Sequence, residues 1–340
     1  MSAPAEAGRR RASPRRLLLL LLAPLALLFA ADRALVLWPA HWAWVARDLP
    51  PRVYDPYRIE AQLRATPPGR QNVPVLGNSI AERGIDEALL AERFAPEALC
   101  FPKLTLAGSA ALTFGFLADA VADLEPRAAI FISSGPALSS NLELDRVHAY
   151  DVRAVGELFS PAEILDSAGF HAGGLAGELH VFARHRRALL RSALVRLGLR
   201  PWRRDPTEAE LTQARERGPG DEAWRAWLHH PIQDSYPNSN TRALVRLGRV
   251  LRERGSRLIV LDAPLHPAAL LDDSEGRIDA YRKQLRSIAA AEGLELLAPE
   301  QLVELTPQDF ADWVHLAPAG SERLSTALAD ALEARLAERP

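Results

Sequence analysis

The sequence contains a single cysteine, Cys100, among 340 residues. One thiol excludes an intramolecular disulfide and any metal site built from several cysteines. Because Cys100 lies in an apolar, strand-like stretch, we expect a buried and unreactive thiol. The histidines at positions 171, 180, 185, 229 and 230 lack the His-Glu-x-x-His spacing of a zinc helix, so no metal site is predicted.

An excess of charge of one sign is also absent. The 41 basic and 43 acidic residues give a net charge of −2, which offers no argument for nucleic-acid binding. Nearly all basic residues are arginines, since lysine occurs only at positions 103 and 283. Neither a Walker-type nor a dinucleotide-type glycine-rich loop is present, and the sequence predicts no cofactor.

One long apolar run, residues 17–31, follows five arginines between residues 9 and 16. A helix of this run would be about 22 Å long, whereas extension to residue 38 gives about 33 Å, enough to cross a bilayer. Small residues one and three positions before a cleavage point are missing, which favours an uncleaved signal-anchor over a removed signal peptide. We therefore predict a basic cytoplasmic tail at residues 1–16, a single transmembrane helix at residues 17–38, and an extracytoplasmic, periplasmic remainder.

Beyond a proline-rich linker or lead-in at residues 39–71, short apolar runs alternate with helical stretches. This alternation predicts an α/β fold with a parallel sheet that is covered on both faces. In the last helix, leucines recur at every fourth residue and should pack on the sheet. The predicted strands are residues 73–76, 99–106, 128–133, 258–261 and 294–297, and the predicted helices are residues 85–94, 110–124, 241–254, 277–292 and 321–337.

A long insertion, residues 138–238, separates the third and fourth predicted strands and has helical patterns at residues 181–198 and 208–227. A segment of this length needs structure of its own. Two roles stay open: a cap that sets substrate choice, or a stabilising helical subdomain remote from any site. Its basic run at residues 184–191 is typical of a solvated helix face, with an anionic polymer or lipid head groups as the alternative partner.

The apolar run that ends at Leu76 meets Gly77 and delivers Ser79 into a helical segment. At the carboxyl end of a parallel strand, a serine beside a helix start can act as a nucleophile. Backbone N–H groups of the helix start can then stabilise the oxyanion that develops during its attack. The alternative is an ordinary turn whose serine caps the helix.

Near the other end of the chain, Asp312 stands three residues before His315 in the loop that enters the last helix. A serine hydroxyl needs a base such as histidine, and the base needs a carboxylate to fix its tautomer. One segment can supply both groups.

Asn78-Ser79 and Asp312-x-x-His315, in this order, resemble the first and last blocks of the SGNH (GDSL-like) hydrolase superfamily. The resemblance implies a flavodoxin-like three-layer domain at residues 72–337, with Ser79 as nucleophile, His315 as base and Asp312 as the residue that orients it. It also implies an oxyanion hole formed by the backbone N–H groups of Ser79 and Gly108, since Gly108 follows the second predicted strand as in the second block. Asn78 replaces the usual aspartate and is expected to contact substrate.

The third block of the superfamily, Gly-x-Asn-Asp, is not present. The third predicted strand continues into Gly135, Pro136 and Leu138 without the asparagine. Asn141 lies further on and could replace it as an oxyanion donor, although nothing in the spacing requires this. Loss of one donor typically costs about 2.7–4 kcal/mol, so another donor substitutes, the chemistry is slow, or the site is degenerate.

The fourth predicted strand ends in Pro264-Leu265-His266-Pro267, where His266 either contacts substrate or belongs to a rigid turn between prolines. This segment, the anchor and the final Asp-x-x-His-Leu are together similar to the DltD-like and alginate O-acetylation (AlgJ/AlgX-like) groups. That resemblance implies an esterase or O-acyltransferase acting on an acylated polysaccharide or other cell-envelope polymer, often beside a membrane-bound O-acyltransferase.

Two alternatives remain. A catalytically weak SGNH-like scaffold could bind an envelope polymer or a membrane-bound O-acyltransferase, as the missing asparagine suggests. Coincidental motif matches in an unrelated α/β protein would place Ser79 and His315 far apart.

Overall fold

The computed structural model describes residues 22–24, 26–31, 34, 56–106, 108–138, 152–159, 238–271, 273 and 276–337. Within these residues five parallel strands form one sheet, in the order β2-β1-β3-β4-β5. This is the strand order of flavodoxin-like folds, and the predicted parallel α/β sheet is confirmed. The strands are β1 (Val75–Gly77), β2 (Lys103–Thr105), β3 (Ala128–Ser133), β4 (Arg257–Asp262) and β5 (Glu295–Leu297).

Helices cover both faces of the sheet. They are α1 (Pro56–Ala65), α2 (Ser79–Gly84), α3 (Glu87–Arg93), α4 (Ala111–Phe116), α5 (Ala118–Ala122), α6 (Val152–Leu158), α7 (Ser239–Glu253), α8 (Pro267–Leu271), α9 (Arg277–Glu292), α10 (Pro299–Leu302) and α11 (Pro318–Ala337). In the part of the chain that the structure describes, three short 3₁₀ turns lie at Ala95–Glu97, Gly135–Leu138 and Pro307–Asp309.

Alternate residues of each strand enter different cores, because successive side chains of a strand point to opposite faces. Phe131 packs with α1, α4–α7 and α9, which form the first core. Ile130 and Ile132 pack with α2, α3, α11 and the segment before α11, which form the second core. The result is a three-layer fold. The predicted leucine stripe of α11 is buried in the second core by Leu324, Leu328, Leu332 and Leu336.

Several boundaries differ from the prediction. The predicted helix 85–94 is shortened to α3, because Ile85 is extended and ends α2, and Asp86 caps α3 by accepting from the N–H groups of Ala88 and Leu89. The predicted strand 99–106 shrinks to β2, an edge strand preceded by an isolated bridge between Asn72 and Cys100. The expectation of a buried thiol is wrong, since Cys100 is exposed at this edge.

Helix α1 lies in the proline-rich segment that the sequence indicated as a linker. Its first residue is Pro56, a position where the missing N–H has no intrahelical partner to lose. Ile59 and Leu63 are buried in the first core. The segment therefore contributes to the domain as well as leading into it.

Other predictions fall largely outside the described residues. These include the tail at residues 1–16 and the insertion helices at residues 181–198 and 208–227. The described part of the insertion includes α6, whose Ala154 and Leu158 are buried in the first core. The described residues of the predicted anchor are helical, and nowhere in the described part of the chain is a helix both long and apolar enough to cross a membrane. The anchor stays a prediction.

Candidate active site

Ser79 sits at a sharp turn between β1 and α2. Gly77 has a φ of +151°, and a Cβ at this position would lie 2.7 Å from Cβ of Ala81, so a side chain here would collide with the helix. The side-chain oxygen of Asn78 caps α2 by accepting from the N–H of Ile80 at 2.9 Å. Ser79 is thus the first residue of the helix and is partly buried at the carboxyl edge of the sheet.

The acid and the base lie in a narrow loop that precedes α11. An antiparallel bridge joins Phe310 to Leu316, and the N–H of Ala311 donates to the carbonyl of His315 at 2.8 Å. The base of the loop is held by Asp309, whose carbonyl accepts from the N–H of Ala317 at 2.8 Å. These bonds fix the backbone between residues 309 and 317.

A continuous chain of hydrogen bonds joins three side chains. Nε2 of His315 lies 2.8 Å from Oγ of Ser79, and Nδ1 lies 2.8 Å from Oδ2 of Asp312. An ionised carboxylate can only accept, so Nδ1 donates, and a neutral imidazole then offers Nε2 as acceptor for the hydroxyl of Ser79. The structure thus brings together the three residues that the sequence singled out; their catalytic roles stay predictions.

Asp312 is held as a carboxylate. Burial alone raises its pKa, but hydrogen bonds from the His315 ring and from the N–H groups of Val314 and His315, together with the charge of His315, lower the pKa below 3.8 overall. The guanidinium of Arg83, one turn beyond Ser79 on α2, lies 4.0 Å from Oδ2 and adds positive charge on the same side. A negative charge is therefore in place beside the imidazole at neutral pH.

His266 packs directly against the acid–base loop. The backbone N–H of His266 donates to the carbonyl of Trp313 at 2.9 Å. Its ring packs against the ring of Phe310, with the ring centroids 5.4 Å apart. Nδ1 accepts from the N–H of Ala268 at 3.1 Å, so the proton of the neutral ring is on Nε2. Burial lowers the pKa of His266, and the charge of Asp312 opposes this shift. The structure gives His266 a role in the turn, and substrate contact stays a prediction, as it does for Asn78.

The loop after β2 lies beside the turn that carries Ser79. The N–H of Leu106 donates to the carbonyl of Gly77 at 3.0 Å, and Oγ of Ser109 lies 3.4 Å from the same oxygen. Gly108 is exposed in this loop with a φ of +73°. It is therefore near the turn of Ser79, while its role as an oxyanion donor stays a prediction. Asn141 lies outside the described residues.

The groups that support the loop were not predicted from the sequence. Oδ2 of Asp309 accepts from Arg323 at 2.6 Å and from the N–H and hydroxyl of Thr306 at 2.7 and 2.9 Å. Burial raises the pKa of Asp309, but these hydrogen bonds lower it below 3.8 overall. The Thr306-x-x-Asp309 spacing of a capping box was a local signal for part of this arrangement. The pairing with Arg323 has no such signal, because Arg323 lies a full turn inside α11.

A second polar cluster, also missed, lies on the first-core side of the ends of β3 and β4. The hydroxyl of Tyr281 donates to Oγ of Ser133 at 2.9 Å, and Arg282 pairs with Asp262 at 3.0 Å and with Glu300 at 2.6 Å. Burial raises the pKa of Asp262 to about 6, against the opposing effects of Arg282 and Tyr281. The available signal for this cluster in the sequence was that two polar residues, Ser133 and Asp262, lie at the ends of neighbouring predicted strands. Among the described residues, no group of three metal-ligating side chains is found.

No protein-family model matches the chain, and no curated protein matches it at a significant level. Several solved structures are similar to it, and two of them are described next. TesA has 16% identity and a TM-score of 0.40, with 77% of this chain and 98% of TesA covered. LAE5, an alpha/beta hydrolase enzyme from the metagenome of Lake Arreo in Spain, has 13% identity and a TM-score of 0.38, with 78% and 96% covered.

Proposed function

We propose that this protein is a serine esterase or O-acyltransferase of the SGNH type. The observation that supports the proposal is the hydrogen-bonded chain from Asp312 through His315 to Ser79, with both links at 2.8 Å. This is the arrangement that activates a serine hydroxyl for attack on an acyl carbonyl. The order of the motif blocks and the 2-1-3-4-5 strand order are consistent with the same type of enzyme.

In the first half of the reaction, Oγ of Ser79 attacks the carbonyl carbon of an ester while Nε2 of His315 takes its proton. The carboxylate of Asp312 stabilises the imidazolium. The backbone N–H groups of Ser79 and Gly108 donate to the oxyanion. When the tetrahedral intermediate collapses, the alcohol leaves with the proton from His315, and the acyl group remains on Ser79.

In the second half, an acceptor hydroxyl gives its proton to His315 and attacks the acyl carbon. The bond from that carbon to Oγ of Ser79 then breaks, and His315 returns the proton to Oγ. Water as acceptor makes the protein a hydrolase, and a sugar hydroxyl makes it a transferase. The proposed substrate is an acylated polysaccharide or another envelope polymer, at the periplasmic face of the membrane. The basic and apolar pattern of residues 1–38 and the motif resemblance support this location and this substrate class.

One sequence feature favours a second candidate, a catalytically weak scaffold that binds an envelope polymer or a membrane-bound O-acyltransferase. After Gly135, the chain has Pro136 and Ala137 where the third block would supply an asparagine side chain. Without a replacement donor, turnover would be about 100- to 1000-fold slower than in a complete site.

Pre-steady-state release of p-nitrophenolate from p-nitrophenyl acetate by the full-length protein in detergent separates the two candidates. We expect a burst close to one equivalent, lost in Ser79→Ala and kept in Ser287→Ala, which changes an exposed serine on α9. A polysaccharide acceptor added afterwards identifies transfer if it becomes acylated. A folded protein without a Ser79-dependent burst would contradict the esterase proposal and favour the scaffold.

A further inference from the structure

Ser134, the residue directly after β3, carries a buried hydroxyl without a hydrogen bond. The residue is 3% exposed, and within the described part of the chain its Oγ has no partner. Buried polar groups in proteins are nearly always hydrogen-bonded, so an exception needs an explanation. Active sites supply one, because donors aimed at a charge that develops only during the reaction have no partner in the resting protein.

The strand register places Ser134 alongside the nucleophile. In the parallel pairing of β1 with β3, Leu76 lies opposite Phe131. The next pair is also adjacent, since a Cβ on Gly77 would lie 3.4 Å from Cβ of Ile132. Two residues beyond these positions, the chain reaches Ser79 on one side and Ser134 on the other. Both serines therefore stand at the carboxyl edge of neighbouring strands.

Because side chains alternate along β3, its last residue, Ser133, and the following Ser134 point to opposite faces of the sheet. Oγ of Ser133 accepts from Tyr281, which belongs to the first core. Ile130 and Ile132 enter the second core, together with Trp313 and Val314 of the acid–base loop. Ser134 continues the series of Ile130 and Ile132, and so it faces the side on which His315 meets Ser79.

We propose that the hydroxyl of Ser134 is an oxyanion donor that replaces the asparagine of the missing third block. This inference rests on the proposed function. The side chains of Pro136 and Ala137 carry no hydrogen-bond donor, whereas Ser134 offers an O–H directly after the same strand. A serine hydroxyl is shorter than an asparagine side chain, and its position directly after β3 keeps it close to the nucleophile.

In the reaction, Oγ of Ser79 forms a bond to the acyl carbon and the π electron pair moves onto the carbonyl oxygen. The hydroxyl of Ser134 donates a hydrogen bond to that oxygen and keeps its own proton. The proton of Ser79 goes to Nε2 of His315 and leaves with the alcohol when the carbonyl re-forms. Ser134 acts in the same way when the acyl-enzyme is attacked by the acceptor.

Steady-state hydrolysis of p-nitrophenyl acetate by full-length variants tests this role. For Ser134→Ala we expect kcat to fall about 100- to 1000-fold with KM within about threefold of wild type, because the donor acts on the transition state. The unfolding temperature should not fall, since the hydroxyl has no hydrogen bond to lose. Ser134→Cys keeps the side-chain size with a weaker donor and should lose nearly as much activity, whereas Ser134→Thr should restore most of it.

Ser133→Ala is the matched control, because it removes the neighbouring hydroxyl that is bonded to Tyr281 on the other face. We expect a lower unfolding temperature and a kcat within about threefold of wild type. A wild-type burst combined with an undiminished kcat in Ser134→Ala overturns the inference and leaves the proposed function intact. A lower unfolding temperature in Ser134→Ala without rescue by threonine also overturns it, as a structural role. Absence of any Ser79-dependent turnover in the wild type overturns both.

Discussion

Asp312 uses both of its carboxylate oxygens within a few residues of chain. Oδ1 accepts from the N–H groups of Val314 and His315 at 3.0 and 2.8 Å, while Oδ2 accepts from Nδ1 of His315. The backbone bonds hold the carboxylate in place, and the bond from the ring orients the imidazole. Because these same bonds lower the pKa of Asp312, its charge persists at every pH near neutrality.

Asp312→Asn removes the negative charge of the side chain and keeps its shape. The amide oxygen can still accept from the backbone, but the NH₂ group would donate to Nδ1 and move the ring proton to Nε2, which could then no longer accept from Ser79. We expect kcat for p-nitrophenyl acetate to fall roughly 10⁴-fold with a retained fold. Asp279→Asn, at an exposed position of α9, should be unaffected. A loss below tenfold in Asp312→Asn would exclude Asp312 as the orienting acid.

At the scale of elements, the start of α11 is pressed against the base of the acid–base loop. A Cβ on Gly320 would lie 2.1 Å from the carbonyl oxygen of Asp309. That oxygen accepts from the N–H of Ala317, and the Asp309 side chain pairs with Arg323. Helix α11 and the acid–base loop are therefore packed as one unit. The position of His315 depends on how closely α11 can approach the backbone of Asp309.

Gly320→Ala should therefore impair both stability and activity. The methyl group must displace the backbone of Asp309, and overpacking of this kind typically costs about 1–3 kcal/mol. Because a shift of about 1 Å near a reacting group can cost about 100-fold in rate, we expect a clear fall in kcat as well. Urea unfolding and ester turnover measure the two effects. Ala319→Ser, at the exposed neighbouring position, is the control, and a Gly320→Ala protein equal to it would refute the close-packing argument.

Some elements could be predicted to the residue and others could not. The bounds of β3 and α9 agree with the sequence pattern. β3 is a continuously buried apolar run, and α9 is flanked by Gly276 and Gly293, which both have positive φ. β2 and α1 were predicted less well, since an edge strand buries little and Pro56 is typical of both linkers and helix starts. Propensity along the chain does not record how an element packs.

Some residues of the candidate site could likewise be predicted from the sequence, and others could not. Ser79, Asp312 and His315 were identifiable because nucleophile, base and acid require particular residue types at the carboxyl edge of a sheet. Their supports were not, because Asp309 with Arg323 and Ser134 with its burial depend on three-dimensional packing.

Across the whole molecule, the sheet separates the candidate triad from the buried cluster around Asp262. Asp262 is 5% exposed, and burial raises its pKa to about 6 from 3.8. Between these pH values the folded protein keeps a proton that the unfolded chain has lost. The stability that this proton contributes is present below about pH 4 and is lost as the pH rises through 6.

Asp262→Asn should remove this dependence on pH, because an amide does not titrate. We expect the free energy of unfolding of the variant, relative to wild type, to rise between pH 4 and 6 by up to about 1.4 kcal/mol per pH unit and then to level off. Urea unfolding over pH 4–7.5 measures the difference, with Asp279→Asn as an exposed control. A difference that stays constant over this range would show that Asp262 does not titrate there.

The central claim is that Ser79 is an activated nucleophile, and the most direct measurement is the intact mass of the full-length protein after exposure to a fluorophosphonate. We expect one covalent adduct per chain, mapped to the peptide that contains Ser79, absent in Ser79→Ala and formed far more slowly in His315→Ala. A folded wild-type protein that gains no adduct, or gains it at another residue, would contradict the claim.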